Sequence, residues 1–266
     1  AFAAFALFAV AYYPALQIMV GIWHSSEEYN HAFITLPLIG YMLWVKRLKL
    51  MDGDTRYSPL GLLFILVSTP AYYFALLTQI NSIIFLSMFM TIIGTTIYLW
   101  GIRCIKKNFT QLFLFALLIP IPNQLYIKFT SPLQLKVSQA SEMLIRTLGI
   151  PILRHGNIMT IPERGFEVVE ACSGLRSMII LINLSIVIGF FMLKNPLSKI
   201  ILILSSVPIA VFINILRVSV MIIAFHFYRL DITQGTLHTA TGLVLFVLAF
   251  GVLLIIKRVM EVWEIK

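Results

Sequence analysis

A chain of 266 residues that is 60% hydrophobic and only 12% charged, with a mean hydropathy of +0.95, has too few polar side chains to cover a soluble core of that size. A water-soluble globular domain is excluded, and a polytopic membrane protein is expected. The net charge of +9 is assigned to Lys- and Arg-rich cytoplasmic loops rather than to nucleic-acid binding, because no basic stretch is interleaved with aromatics.

Spans of about 20 residues joined by short loops leave room for roughly eight helices. Apolar runs place them near Phe2–Trp23, Ala32–Val45, Leu60–Leu77, Ser82–Gly101, Leu112–Pro120, Leu175–Leu193, Ile200–Ala224 and Thr239–Ile256. The second and fifth are short or interrupted by proline. The sequence starts at Ala1 rather than Met, so a short preceding segment is expected. The first run is too long for a signal peptide and lacks a small-residue cleavage site, and reads as a span. With Ala1 inside, the inner segments carry 12 of the 20 basic residues, and the outer loops His24–His31 and Thr78–Asn81 carry none. Both termini are therefore placed inside. Trp23, Trp44, Trp100 and Trp263 fall at or near span ends, as an interfacial aromatic belt requires.

The sizeable polar region is Asn123–Ala171. Leu133, Val137, Ala140, Leu144 and Leu148 recur at helical spacing, predicting an amphipathic helix over Pro132–Leu148 on the outer membrane surface. Asn157–Glu170 reads as a β-hairpin, with the turn in Ile161-Pro162-Glu163-Arg164-Gly165 and strand-favouring Val168 and Val169 beyond it. The fold class is thus all-α and polytopic, with about eight spans and an extracytoplasmic amphipathic helix and hairpin before the sixth. No repeat, low-complexity tract or second domain interrupts it, so residues 1–266 form a single integral membrane domain.

Ala171-Cys172-Ser173-Gly174-Leu175-Arg176 puts a thiol at the threshold of the sixth span. The unpaired N–H groups and dipole of a helix start favour the thiolate there. Cys104 lies on the inner side beside Lys106 and Lys107. A hydrocarbon core of about 30 Å separates it from Cys172, so the two cannot form a disulfide. Cys172 is either a small residue packed at a helix start or a nucleophile. Arg217 lies in the outer third of the seventh span, where a guanidinium must face an interior polar pocket, snorkel, or pair with a carboxylate such as Glu170. Asn214, three residues earlier, shares its helix face. His238 begins the eighth span at the same depth; alone it reads as an interfacial histidine. Together, Cys172, Arg217 and His238 supply a nucleophile, an anion stabiliser and a general acid/base. Arg176, four residues after Cys172, could hold the substrate backbone or a carboxylate, and Glu170 could orient either arginine. His24, Glu27, Glu28 and His31 have no metal-ligand spacing and are read as a solvated loop lining the pocket. His155 and His226 read as surface residues. No metal or cofactor is called for.

Glu170-Ala-Cys-Ser-Gly-Leu-Arg-Ser177, Asn214-Ile-Leu-Arg217, His238 and Tyr29-Asn-His-Ala-Phe-Ile-Thr-Leu-Pro37 with Trp44 and Lys46-Arg47 resemble, in this order, the exosortase family of bacterial membrane cysteine transpeptidases. Archaeosortases are similar but carry an arginine where His238 stands. A glycine commonly follows the family's early histidine; here it is Ala32. The resemblance implies that Cys172 is the nucleophile, that Arg217 stabilises the reacting carbonyl, and that Arg176, Asn214, Glu170 and His31 contact substrate. It implies substrates that are exported proteins with a C-terminal tail of the PEP-CTERM kind, made of a short motif, one membrane span and a basic cluster. The tail would be cleaved through a thioacyl intermediate and the protein transferred to an acceptor nucleophile, at the outer face of a bacterial cytoplasmic membrane. The helix Pro132–Leu148 and the hairpin would serve as a lid that excludes water. The alternative from another class is a transporter or export subunit with Arg217 and His238 lining a polar path; a hydrolase using water as acceptor is a third reading.

Overall fold

The computed structural model describes residues 2–51, 58–167 and 175–265, and side chains over 6–46, 58–166 and 176–264. The chain divides into two compact units, Ala1–Pro122 and Asn123–Lys266.

In the first unit the expected first span is two helices, α1 (Phe2–Ala11) and α2 (Tyr13–Ser25). Pro14 has no N–H to donate to the preceding turn, so the ladder lapses at Tyr12 and resumes where Leu16 N donates to Tyr12 O at 2.9 Å. α3 (Ala32–Met51) runs beyond its expected end. α4 (Leu60–Thr78) and α5 (Asn81–Trp100) form a tight antiparallel pair joined through Gln79, whose φ of 56° is left-handed. Their backbones touch: a Cβ on Gly61 would sit 2.4 Å from the Gly94 carbonyl oxygen. Small residues at such a crossing let helices approach where lipid offers no hydrophobic drive. Hydroxyls join the same helices, with Thr91 Oγ1 2.7 Å from Ser68 Oγ and 2.6 Å from Tyr12 Oη. The chain then forms α6 (Ile102–Lys107), ahead of the expected fifth span, and α7 (Phe109–Ala116), which covers only Leu112–Ala116 of it. α7 has 8 residues, about 12 Å of helix. The following stretch is fastened by Trp23 Nε1 donating to Leu118 O at 2.9 Å and by Ile121 N donating to Tyr29 Oη at 2.8 Å.

The second unit opens with α8 (Asn123–Thr147). It starts nine residues before the expected Pro132, which lies inside the helix rather than at its first turn. Its polar stripe is buried: Thr130, Ser138 and Ser141 are at most 1% exposed, and Ser141 Oγ donates to Ile215 O at 3.3 Å. A three-stranded antiparallel meander follows, β1 (Leu153–His155), β2 (Ile158–Ile161) and β3 (Arg164–Glu167). The turn between β2 and β3 falls at Pro162–Glu163, where the sequence places it, and Ile161 pairs with Arg164. β1 is an additional strand. Val168 and Val169 lie outside the described residues.

Three long helices complete the unit: α9 (Leu175–Met192), α10 (Pro196–Tyr228) and α11 (Gly235–Ile265). α10 is capped by Asn195 Oδ1, which accepts from Leu197 N at 2.9 Å, with Pro196 pre-set for the first turn. Its 33 residues make about 50 Å of helix, well beyond a hydrocarbon core. One apolar cluster packs α8, the sheet and Ile232 against Val218, Met221 and Ile222 of α10. Another packs α9 and α11 against Leu202 and Ala210 of α10. Arg217 sits where the two clusters meet along that helix.

Among the described residues, α4, α5, α10 and residues 235–264 of α11 are long and apolar enough to cross a membrane, and the shorter stretches 32–46 and 176–192 are apolar too. α11 leaves Leu243, Val244, Val247, Leu248 and Ile255 exposed, a face suited to lipid and not to water. The protein is a helical membrane protein with a small sheet.

Candidate functional site

Arg217 projects from α10 beside the start of α11. Its Nη2 lies 2.7 Å from His238 Nε2, and His238 Nδ1 lies 3.2 Å from Ile232 O. A guanidinium only donates and a carbonyl only accepts. Nε2 must therefore offer its lone pair, and Nδ1 must carry the hydrogen. These contacts assign His238 the Nδ1–H tautomer, with its Nε2 lone pair on Arg217. His238 stands in the first turn of α11 rather than ahead of it, because that helix begins at Gly235, whose φ of 74° suits glycine.

Gly242, one turn after His238 on the same face, completes the arrangement. A Cβ there would be 3.2 Å from Arg217 Nη2 and 3.5 Å from Cζ, so the missing side chain makes room for the guanidinium. Nothing in the apolar run of α11 marks this glycine apart from its spacing from His238.

A cavity of about 30 Å³ adjoins the pair, lined by Ser177 of α9, Asn214 and Arg217 of α10, and Gly242, Leu245 and Phe246 of α11. It accommodates a group the size of a water or an oxygen atom, not a peptide segment. Asn214 is 2% exposed and lies one turn before Arg217, as the spacing requires. Arg217 Nε is buried with no hydrogen-bond partner among the described residues. Arg176 lies part-buried in the first turn of α9. Cys172 and Glu170 lie outside the described residues.

His31 belongs to the first unit, in the turn ahead of α3. Its Nδ1 is 2.9 Å from Glu28 O, its ring stacks near Tyr29, and its Nε2 is buried without a partner. Burial pushes His31 below the ordinary imidazole range, partly offset by the Glu28 carbonyl. His24 lies in the last turn of α2 rather than in the loop. Among the described residues no three His, Cys, Asp or Glu side chains gather at one point.

His226, read from the sequence as a surface residue, is half-buried beside an ionic clasp on the β2–β3 turn. Glu163 Oε1 lies 3.4 Å from His226 Nδ1 and 3.3 Å from Arg229 Nη2. Arg164 pairs with Asp231 and sits over the rings of Phe166 and Phe225, 5.5 Å from each centroid. The Thr233 hydroxyl, the Arg164 guanidinium and the Thr233 N–H hold the Asp231 carboxyl down to about 2. These contacts join residues about 65 positions apart, and no periodicity announces them.

A family model described as transmembrane exosortase matches residues 23–255 of the chain. The chain belongs to the transmembrane exosortase family. No curated protein and no solved structure matches it. Exosortases are generally cysteine transpeptidases. In this exosortase, Arg217 and His238 are brought into direct contact, with Asn214 lining the adjoining cavity.

Proposed function

We propose that the protein is a membrane-embedded cysteine transpeptidase that removes the C-terminal sorting tail of exported proteins and transfers them to an acceptor. The observation that carries this reading is the Arg217–His238 pair beside a cavity large enough for one oxygen, in a chain of this family. In this mechanism Cys172 gives its proton to His238 Nε2 as the guanidinium swings from the imidazole to the substrate carbonyl. Sulfur bonds to the carbonyl carbon, and the oxygen, now negative, accepts from Arg217. Collapse breaks the C–N bond, the departing amine takes the proton from His238, and a thioester remains on Cys172. The acceptor then loses its proton to His238 and attacks, and the thiolate leaves. Arg176, Asn214, Glu170 and His31 are the proposed substrate contacts.

The same reading makes residues 1–266 one catalytic domain of about eight spans in a bacterial cytoplasmic membrane, with both termini inside and the site on the extracytoplasmic face. The substrate's own span would then hold the scissile bond level with the site. Mass spectrometry of the new C-terminus of a processed substrate tests the proposal. An acceptor-linked carboxyl supports transfer, a free carboxyl shows hydrolysis instead, and an unprocessed tail in the presence of folded, membrane-inserted protein overturns both.

A further inference from the structure

The clasp on the β2–β3 turn and the Arg217–His238 pair share one short linker, residues 229–234. Arg229 and Asp231 are gripped from the sheet by Glu163 and Arg164. Asp231 also folds the linker on itself, accepting from Thr233 N at 3.0 Å and from Thr233 Oγ1 at 2.6 Å. Between the gripped residues and α11 lies Ile232, 6% exposed and packed in the cluster that contains Met159, Ile161 and Phe166 of the sheet. Its carbonyl is the acceptor for His238 Nδ1. An unbroken series of contacts thus runs from Arg164 through Asp231, Ile232 and His238 to Arg217. In sequence, β3 also ends five residues before Cys172.

We propose that the β2–β3 turn is a positioning element for the Arg217–His238 pair, with Arg164 and Asp231 as positioning residues. By clamping the linker it fixes the Ile232 carbonyl, which in turn fixes His238 as the Nδ1–H tautomer with its Nε2 lone pair on Arg217. With the carbonyl displaced, the Nδ1 hydrogen loses its acceptor. The Nδ1–H tautomer then keeps only its Nε2 contact with Arg217, and the ring is free to turn away from the guanidinium and exchange its hydrogen between the two nitrogens. The inference rests on the transpeptidase reading for its meaning but not for its test.

The test is long-range 1H–15N NMR of the full chain, labelled with 15N-histidine and held in detergent or nanodiscs. His238 is assigned by the signal missing from the His238→Asn spectrum. Wild type should show a single Nδ1–H signature at His238. Arg164→Ala and Asp231→Asn should each replace it with a tautomer mixture. Asp231→Asn keeps an oxygen for Thr233 and removes only the charge that Arg164 grips, so it decides alone if Arg164→Ala does not fold. Arg164→Lys, which keeps the charge, should restore the wild-type signature. A wild-type His238 signature in folded Asp231→Asn overturns the proposal. Because the readout is independent of activity, a shifted tautomer alongside normal processing in Arg217→Lys would retain the clamp and reject the catalytic reading instead.

Discussion

Arg217 and His238, 21 positions apart on two different helices, meet nitrogen to nitrogen at 2.7 Å. The contact fixes the guanidinium against an imidazole that accepts rather than competes. A charge that would otherwise cost at least about 2.5 kcal/mol in a membrane helix is thereby held in one orientation, with Nε unpartnered among the described residues.

Arg217→Lys keeps the charge and loses the planar fork, so one ammonium cannot contact His238 and a developing oxyanion in the same way. Processing of a membrane-tethered substrate should fall by about 10²–10³-fold, the scale of losing an oxyanion donor. Initial rates on purified protein measure this, with a thermal melt to confirm that the variant is folded.

Gly242→Ala should move stability and activity in opposite directions. Alanine favours a helix interior over glycine by about 0.5–1 kcal/mol, yet its Cβ would press on Nη2 at 3.2 Å. The expected outcome is an unchanged or raised melting temperature with processing slower by about tenfold or more, since small misplacements at a reacting centre are costly. A variant as fast as wild type would show that the guanidinium has slack.

The two cysteines should differ in reactivity. Burial pushes the Cys104 thiol up from its ordinary range, more than Asn108 and Lys107 pull it down, so little of it is thiolate at neutral pH. Maleimide labelling at pH 7 should therefore be slow in Cys172→Ala and fast in Cys104→Ala. Equal rates would remove the argument for an activated Cys172.

The clasp has an acid limit. Asp231 is held near 2 in the folded chain, against an ordinary value of 3.8. Its contribution is complete above about pH 4 and is lost as pH falls through 2. The protection of amides over residues 153–167, taken as exchange relative to the intrinsic rate at each pH, should fall below about pH 4, and Asp231→Asn should flatten that fall.

What the sequence reveals here depends on whether the information is local. The three-residue spacing of Asn214 and Arg217, the turn at Pro162–Glu163 and the apolar runs of α4, α5, α10 and α11 follow from helix period, turn chemistry and hydropathy. The break at Tyr12 and the early start of α8 do not. By its fixed φ Pro132 suits a first helical turn, whereas the chain tolerates it inside a helix that is anchored through Ser138 and Ser141. The clasp of Glu163, Arg164, Arg229 and Asp231 joins two distant segments whose complementarity exists only once both are folded. Gly242 looks like one more small residue in a membrane helix until the guanidinium beside it is seen.

The central claim is tested most directly by trapping the acyl-enzyme. Purified protein is mixed with a tailed substrate, quenched in acid and digested, and the peptide containing Cys172 is weighed by mass spectrometry. The account predicts a thioester-linked substrate fragment on Cys172, absent from Cys172→Ala and strongly reduced in Arg217→Lys. Normal tail removal by Cys172→Ala would contradict it.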